Sequence, residues 1–195
     1  TDCLVYEKDV NWEVVKALKT KLEAPENGAH VVVAGRFSTR RERVNDAVAQ
    51  CAALNLDGIS GPDNRKCDVL VSVHHNGNIN PTYDGTLTIY TQNSDKPLAK
   101  ALYDSLLLLT NKPEGMLNGG YGMTVYKNLV STITEAYYIT NKCEAEIYLY
   151  SSGDPHFTGL SESCTDNDGY VYVLEDRINR EADLQVQGLI DYFTP

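Results

Sequence analysis

Hydrophobic positions along the chain follow two spacings, one typical of helices and one typical of strands. Val10, Val14, Leu18 and Leu22 recur every fourth residue and predict a first helix, with Asp9 as its N-cap. Helical spacing returns four more times, and short β-branched or alternating runs lie between these segments. We therefore predict further helices at 44–54 (opened by a Thr39–Glu42 capping box), 95–110, 141–150 and 178–193, and strands at 30–34, 67–73, 85–91 and 131–138.

This alternation of strands and helices predicts an α/β fold, with a mostly parallel sheet between helices on both faces in a three-layer arrangement. The nearly continuous apolar run at 67–73 predicts a strand buried on both faces, whereas the alternating run at 85–91 predicts a position nearer an edge. We expect one domain over 1–195, with a polar loop insertion at 151–169. No apolar run approaches membrane-spanning length, so no membrane insertion is expected.

Composition narrows the class of partner and the compartment. The formal net charge of −10 argues against a nucleic-acid partner and against electrostatic attachment to anionic surfaces. The five cysteines show no C-x-x-C spacing, which argues against a structural zinc finger. Their number predicts one or two disulfides in an extracellular protein, with an odd thiol left over. Cys51 with Cys67 and Cys143 with Cys164 are candidate pairs, although spacing alone leaves the connectivity open.

Three residues are candidates for chemistry. His74 ends the apolar strand at 67–73, at the end of a sheet strand where open α/β proteins place their ligands, and imidazole is a good zinc ligand. Glu135 lies in the middle of an apolar strand, where an uncompensated carboxylate is unfavourable. Glu7 precedes the first helix. Each has an ordinary alternative: a hydrogen-bonded strand-end histidine, an edge-strand glutamate facing solvent, and a helix-dipole acid.

Five segments, in order, resemble the type 3, zinc-dependent N-acetylmuramoyl-L-alanine amidases. Together they span nearly the whole chain apart from the insertion, and they are Tyr6–Asn11, Arg40–Asn45, Cys67–Asn76, Gly85–Tyr90 and Thr134–Asn141. The resemblance implies that Glu7 and His74 bind Zn²⁺ and that Glu135 is the catalytic acid–base. It also implies that Asn76 lies near the substrate. His75 should face away from His74 and is either structural or substrate-binding.

One family feature is absent from these residues. The family opens with a strand that ends in a Gly-His pair, whose histidine is the first zinc ligand, and no Gly-His dipeptide occurs here. A sheet without a central strand would leave backbone donors and acceptors unpaired in the interior. We therefore expect a strand and a histidine upstream of Thr1.

The resemblance implies hydrolysis of the amide between N-acetylmuramic acid and L-alanine in peptidoglycan. The protein would then be extracellular, periplasmic, cell-wall associated or delivered by a phage, with peptidoglycan as its partner. Two alternatives stay open: a catalytically inactive amidase-like binding or structural module, and a different zinc peptidase or deacetylase with a similar glutamate–histidine site. The sequence indicates no oligomeric state.

Overall fold

The computed structural model describes residues 5–54, 67–126, 129–153, 163–166 and 169–194. Within these ranges the chain forms five helices and six strands. The helices are α1 (Glu7–Leu22), α2 (Arg40–Leu54), α3 (Lys96–Thr110), α4 (Lys142–Ser151) and α5 (Arg177–Phe193). The strands are β1 (Val69–Asn76), β2 (Thr86–Tyr90), β3 (Pro113–Asn118), β4 (Val130–Tyr138), β5 (Ser163–Thr165) and β6 (Val171–Val173). The predicted α/β fold is confirmed.

The main sheet has the strand order β1-β4-β2-β3. β1 pairs with β4 and β2 with β3 in parallel, while β2 and β4 are antiparallel, so the sheet is mostly parallel, as predicted. The prediction that β2 lies near an edge is wrong, because β2 sits between β4 and β3. Its alternating polar residues, Thr86 and Thr88, are fully buried, and their hydroxyls donate to the carbonyl oxygens of Ala136 and Ala99. Threonine can therefore occupy an interior strand without an unpaired polar group.

Helices cover the two faces of the sheet unequally. Helices α1, α3 and α5 pack on one face, here called the three-helix face, where Val14 and Leu102 are fully enclosed. Gly188 of α5 brings that helix close to α3, since a Cβ at this position would lie 2.9 Å from the Leu102 Cα. The opposite face, the α2 face, is covered by α2, whose Val44 packs on Leu70 of β1. The core therefore lies mainly between the sheet and three helices.

The segment 30–34 forms no strand, contrary to the sequence prediction. Side chains bind its backbone instead: Lys19 Nζ donates to the Val31 carbonyl at 2.6 Å and Gln50 Nε2 to the Val33 carbonyl at 3.0 Å. Among the described residues no strand pairs with the outer side of β1, so β1 is an edge strand. The segment does not pair with this open edge, and side chains of α1 and α2 satisfy part of its backbone hydrogen bonding.

Helix starts follow the predicted chemistry in one case and not in another. Helix α2 begins with the predicted capping box, in which Thr39 Oγ1 accepts from the Glu42 amide and Glu42 Oε2 accepts from the Thr39 amide. Asp9 is not the N-cap of α1, because that helix starts at Glu7 with Tyr6 as N-cap. Asp9 lies instead in the first turn, where the helix dipole favours negative charge.

Two disulfides join neighbouring elements, and both candidate cysteine pairs are confirmed. Cys51–Cys67 links α2 to the chain two residues before β1, and Cys143–Cys164 links α4 to β5. Cys3 and much of the predicted insertion lie outside the described residues. The described part of the insertion contributes β5, which pairs antiparallel with β6. Across the described ranges, no helix combines the length and apolar character needed to cross a membrane.

Candidate functional site

The parallel pairing of β1 with β4 brings two of the predicted site residues together. The ladder places His74 directly beside Glu135. Both residues lie near the carboxyl ends of their strands, where open α/β sheets form clefts. Both strands are held by apolar side chains, Leu70 and Val73 in β1 and Ile133 in β4, all of them buried. The backbone positions of His74 and Glu135 are therefore set by the sheet.

Helix α1 brings Glu7 to the same place. Glu7 is the first residue of that helix, and its Oε1 lies 2.7 Å from His74 Nδ1. The two side chains keep 42% and 38% of their surface exposed, so solvent reaches this pair. The hydrogen bond with His74 lowers the pKa of Glu7 and the same bond raises the pKa of His74, while partial burial opposes both shifts. The carboxylate and imidazole thus stabilise each other's charged forms.

Glu135 has a different electrostatic environment. Burial raises the pKa of its carboxyl to about 7, attraction to His74 works against that shift, and repulsion from Glu7 adds to it. Its Oε2 atom is buried, and no described residue bonds to it. An unpaired buried carboxyl oxygen is unfavourable unless another group occupies the space in front of it. A carboxyl group with a pKa near neutrality can both accept and release a proton.

An irregularity in the β1–β4 ladder extends the site. His74 pairs with Glu135, but Asn76 pairs with Tyr138, so β4 contains one extra residue between the two pairs. Such a bulge lets Glu135 and Tyr138 project toward the same face although they are three residues apart. Asn76 Nδ2 donates to the Tyr138 hydroxyl at 3.0 Å. Asn76, proposed from the sequence to lie near substrate, is therefore part of the same cleft wall as His74.

Glu114 also lies in this region, although no sequence pattern selected it as a site residue. Its carboxylate accepts hydrogen bonds from the Tyr138 hydroxyl, at 2.8 and 2.9 Å, and from the Tyr83 hydroxyl at 2.5 Å. Glu114 stands between a proline and a glycine at the start of β3, a pattern that predicts a turn rather than a site. Only the pairing of β3 with β2 brings it beside β4.

His75 points away from the cleft, as its position after His74 predicts. Its side chain is fully buried on the three-helix face, with Nδ1 2.7 Å from Asn11 Oδ1 and Nε2 2.8 Å from Glu181 Oε2. The ring also packs against Tyr137 at a centroid distance of 4.4 Å. Of the two roles given for His75, this enclosed position favours the structural one over contact with substrate.

The donor atoms of Glu7 and His74 suit a zinc ion, since carboxylate oxygen and imidazole nitrogen are usual zinc ligands. In the part of the chain that the structure describes, no group of three or more histidine, cysteine, aspartate or glutamate side chains forms a metal site. Catalytic zinc is generally held by three protein ligands. Glu7 and His74 therefore supply two of the three protein ligands that such a site uses.

Comparisons with known proteins match the chain to one family and one fold. A sequence model of the N-acetylmuramoyl-L-alanine amidase family matches residues 3–154. The catalytic domain of the amidase CwlV from Bacillus (Paenibacillus) polymyxa var. colistinus is 21% identical, with a TM-score of 0.67, and the match covers 96% of this chain and 85% of that one. No curated protein matched the chain.

Two further solved structures have the same fold. The amidase AmiC2 of Nostoc punctiforme is 19% identical with a TM-score of 0.64, and the match covers 97% of this chain and 85% of that one. An amidase from Clostridium difficile 630 is 20% identical with a TM-score of 0.64, covering 97% and 84% of the two chains. At these identities the structural likeness establishes the fold.

Proposed function

Because the chain belongs to the N-acetylmuramoyl-L-alanine amidase family, we propose that it hydrolyses the amide joining N-acetylmuramic acid to L-alanine in peptidoglycan. The observation that carries this proposal is the convergence of Glu7, His74 and Glu135 in one cleft, with a 2.7 Å contact between Glu7 and His74 and direct strand pairing between His74 and Glu135. These residues come from three separate elements, so their meeting is a property of the fold.

Members of this family typically depend on zinc. In this chain Glu7 and His74 would hold the ion, through a carboxylate oxygen and an imidazole nitrogen. Zinc in such a site supplies Lewis-acid chemistry, polarising a carbonyl group and making a water molecule acidic near neutral pH.

Glu135 handles the protons of the reaction. Its carboxylate takes a proton from the attacking water and gives it to the departing amine of L-alanine. The pKa of about 7 suits both steps, and the unpaired Oε2 is the atom available to accept the proton. Asn76 lies two residues beyond His74 on the same strand face, where its amide can orient the substrate, and Tyr138 and Glu114 hold Asn76 in place.

We assign the third zinc ligand to a histidine on an additional strand outside residues 1–195. The outer side of β1, with which no strand of the described residues pairs, supports this assignment, because an eight-residue strand at a sheet edge offers a row of backbone groups to a neighbouring strand. Segment 30–34 lies nearby, with Val32 and Ala34 in the same cluster as Leu70 of β1. Intact-mass measurement of the protein isolated from its source tests the assignment, and a mass equal to residues 1–195 alone would contradict it.

The amidase proposal itself is tested on purified peptidoglycan. Hydrolysis of this amide releases new α-amino groups of L-alanine without new reducing sugar ends, and labelling both kinds of end distinguishes the amidase from a glycosidase. The Glu13→Gln variant serves as a control for substitutions of the site glutamates. Glu13 lies on α1 with a partly exposed side chain and pairs with Lys16. Absence of new α-amino groups from the zinc-loaded protein would overturn the proposal.

A second function is supported by the incomplete ligand set in the described residues. An amidase-like module without a complete metal site would bind peptidoglycan or serve a structural role. Metal analysis of the protein from its source separates the two functions. One zinc per chain supports the enzyme, whereas metal-free protein that still binds peptidoglycan supports the module.

The two disulfides support a location outside the reducing cytoplasm, because such bonds persist in oxidising compartments. Peptidoglycan lies in the same compartment. We therefore place the protein in the cell wall, the periplasm or the medium.

A further inference from the structure

A continuous chain of hydrogen bonds runs from the core to the candidate zinc ligands. Glu181 of α5 contacts His75 Nε2 at 2.8 Å, and His75 Nδ1 contacts Asn11 Oδ1 at 2.7 Å. Asn11 Nδ2 then donates to Glu7 Oε1 at 3.3 Å, the same oxygen that bonds to His74. We call Glu181, His75 and Asn11 the triad. Its members come from α5, β1 and α1, so it spans three packed elements.

The triad allows only one arrangement of the Asn11 amide. Its NH₂ group faces the Glu7 carboxylate, which accepts, so its oxygen faces His75 and accepts the Nδ1 proton. Turning the amide over would place its oxygen against Glu7 Oε1 and its NH₂ against the Nδ1–H of His75. Both contacts would then be repulsive. The two contacts together fix which atom of Asn11 faces Glu7 and which faces His75.

The far end of the triad is anchored by other core residues. Gln185 Nε2 donates to Glu181 Oε1 at 2.9 Å from one turn further along α5. The Glu181 and His75 side chains are both fully buried, and the Tyr137 ring packs against His75. Fully enclosed side chains with paired polar atoms have few alternative rotamers. The triad is thus rigid at the core end.

Glu7, by contrast, has little else to hold it. It is the first residue of α1, the helix has no side-chain cap, and 42% of the Glu7 side chain is exposed. A glutamate in such a place has several rotamers available, and fixing one of them opposes its side-chain entropy. Partners that bond to a metal-binding carboxylate fix its orientation. Asn11, one turn along the same helix, is such a partner.

We propose that Asn11, His75 and Glu181 are positioning residues that hold the Glu7 carboxylate toward His74. This inference deepens the proposed function, on which it rests for the role of Glu7 and His74 as zinc ligands. Through Asn11, the buried His75 and Glu181 of the three-helix face are linked by hydrogen bonds to Glu7, a candidate zinc ligand on the α2 face.

The test compares four single-residue variants of the full chain. Asn11→Leu removes both bonds of the amide, and Asn11→Asp keeps the shape but lacks the donor to Glu7. Glu181→Leu removes the core end. Ser105→Ala is the matched control, because it deletes a buried 2.7 Å bond between α3 and the Leu184 carbonyl of α5 that does not lead to Glu7.

Two measurements are made on each metal-free variant. The ¹H–¹⁵N spectrum of the imidazole nitrogens reports the hydrogen bond between His74 Nδ1 and Glu7, and titration with Co²⁺ reports metal affinity. We expect the Asn11 and Glu181 variants to lose the His74 Nδ1 signal and to bind Co²⁺ about 10- to 100-fold more weakly, the usual effect of removing an outer partner of a metal ligand. Ser105→Ala should match the wild type in both.

Three results would overturn the inference. The wild-type spectrum could show no hydrogen bond between His74 and Glu7, or the Asn11 variants could retain that bond and a Co²⁺ affinity within twofold of the wild type. The third is a loss of the bond and of Co²⁺ affinity in Ser105→Ala equal to that in the triad variants. Asn11 is only half-buried, so its variants remain informative if Glu181→Leu does not fold. Failure of the amidase proposal has a different signature. The triad variants would then weaken Co²⁺ binding as expected, while the wild type releases no L-alanine amino groups from peptidoglycan.

Discussion

The two faces of the sheet differ in what they bury. On the three-helix face, Val10, Leu102 and Leu106 are fully enclosed, and the buried His75, Glu181 and Ser105 side chains form hydrogen bonds. On the α2 face, Glu7 and His74 remain partly exposed, and Glu135 has a buried oxygen without a described partner. Stability therefore comes mainly from one face, whereas the residues suited to catalysis lie on the other. The following substitutions test how completely the residues that stabilise the fold are separated from the residues suited to catalysis.

The largest effect is expected for Glu135→Gln on the α2 face. Removing a group that transfers protons in the transition state lowers the rate by about 10²- to 10⁴-fold. The measurement is release of L-alanine amino groups from peptidoglycan by zinc-loaded protein. Activity within a factor of three of the wild type would remove Glu135 from the mechanism, provided that Glu13→Gln also retains activity.

The next largest effect is expected for Leu102→Ala on the three-helix face. Leu102 is fully buried between α3 and α5, so the truncation leaves a cavity and lowers the free energy of unfolding by about 2 to 5 kcal/mol. Leu108→Ala, in the same helix but with 67% of the residue exposed, should change it by less than about 0.5 kcal/mol. Urea denaturation measures both. Equal changes in the two variants would contradict this account of the packing.

A smaller effect links stability to the catalytic carboxyl in the metal-free protein. The folded-state pKa of Glu135 is about 7, above its ordinary value of 4.5, so the folded protein binds this proton more tightly than the unfolded chain. Its contribution to stability is therefore present at low pH and is lost as pH rises from about 4.5 to about 7. Glu135→Gln lacks this loss and should be more stable by about 2 to 3 kcal/mol at pH 8 but not at pH 4. A stability difference that does not change with pH would refute the expectation.

The smallest effect is expected for Glu114→Gln. Glutamine replaces one carboxylate oxygen with a donor, so one of the hydrogen bonds from Tyr83 and Tyr138 is lost, which costs about 1 kcal/mol. Because Tyr138 also holds Asn76, we expect about a tenfold rise in KM for soluble muropeptides with little change in kcat. Tyr83→Phe removes only the outer bond and serves as the control. An unchanged KM would show that Asn76 does not depend on Glu114.

The elements with clean periodicity were predictable from the sequence, and the exceptions have physical causes. Helical spacing correctly predicted α3 and α5, and the apolar run correctly predicted β1. Strand β3 was missed because a segment with a proline and a glycine in its first three residues lacks the alternation of a strand. The β-branched run at 30–34 was wrongly predicted as a strand, because side chains of α1 and α2, rather than a neighbouring strand, bind its backbone.

The site was predictable only in part. His74 and Glu135 could be selected because each is a polar residue in or at the end of an apolar strand. The hydrogen-bond partners of His75 could not be predicted, since Asn11 and Glu181 lie 64 and 106 residues away in sequence. Contacts at such separations depend on how helices pack on the sheet, which hydrophobic spacing alone does not determine. The direction of a side chain was predictable, but its partner was not.

The disulfide between Cys51 and Cys67 has a consequence for proteolysis. The bond encloses the chain between these two residues, so a protease that cuts one peptide bond there leaves both fragments covalently joined. The nicked protein would migrate as one band on a denaturing gel without reductant and as two bands after reduction. The cut ends of α2 and β1 would stay together, so one-time cleavage at this point should not release either half of the enzyme.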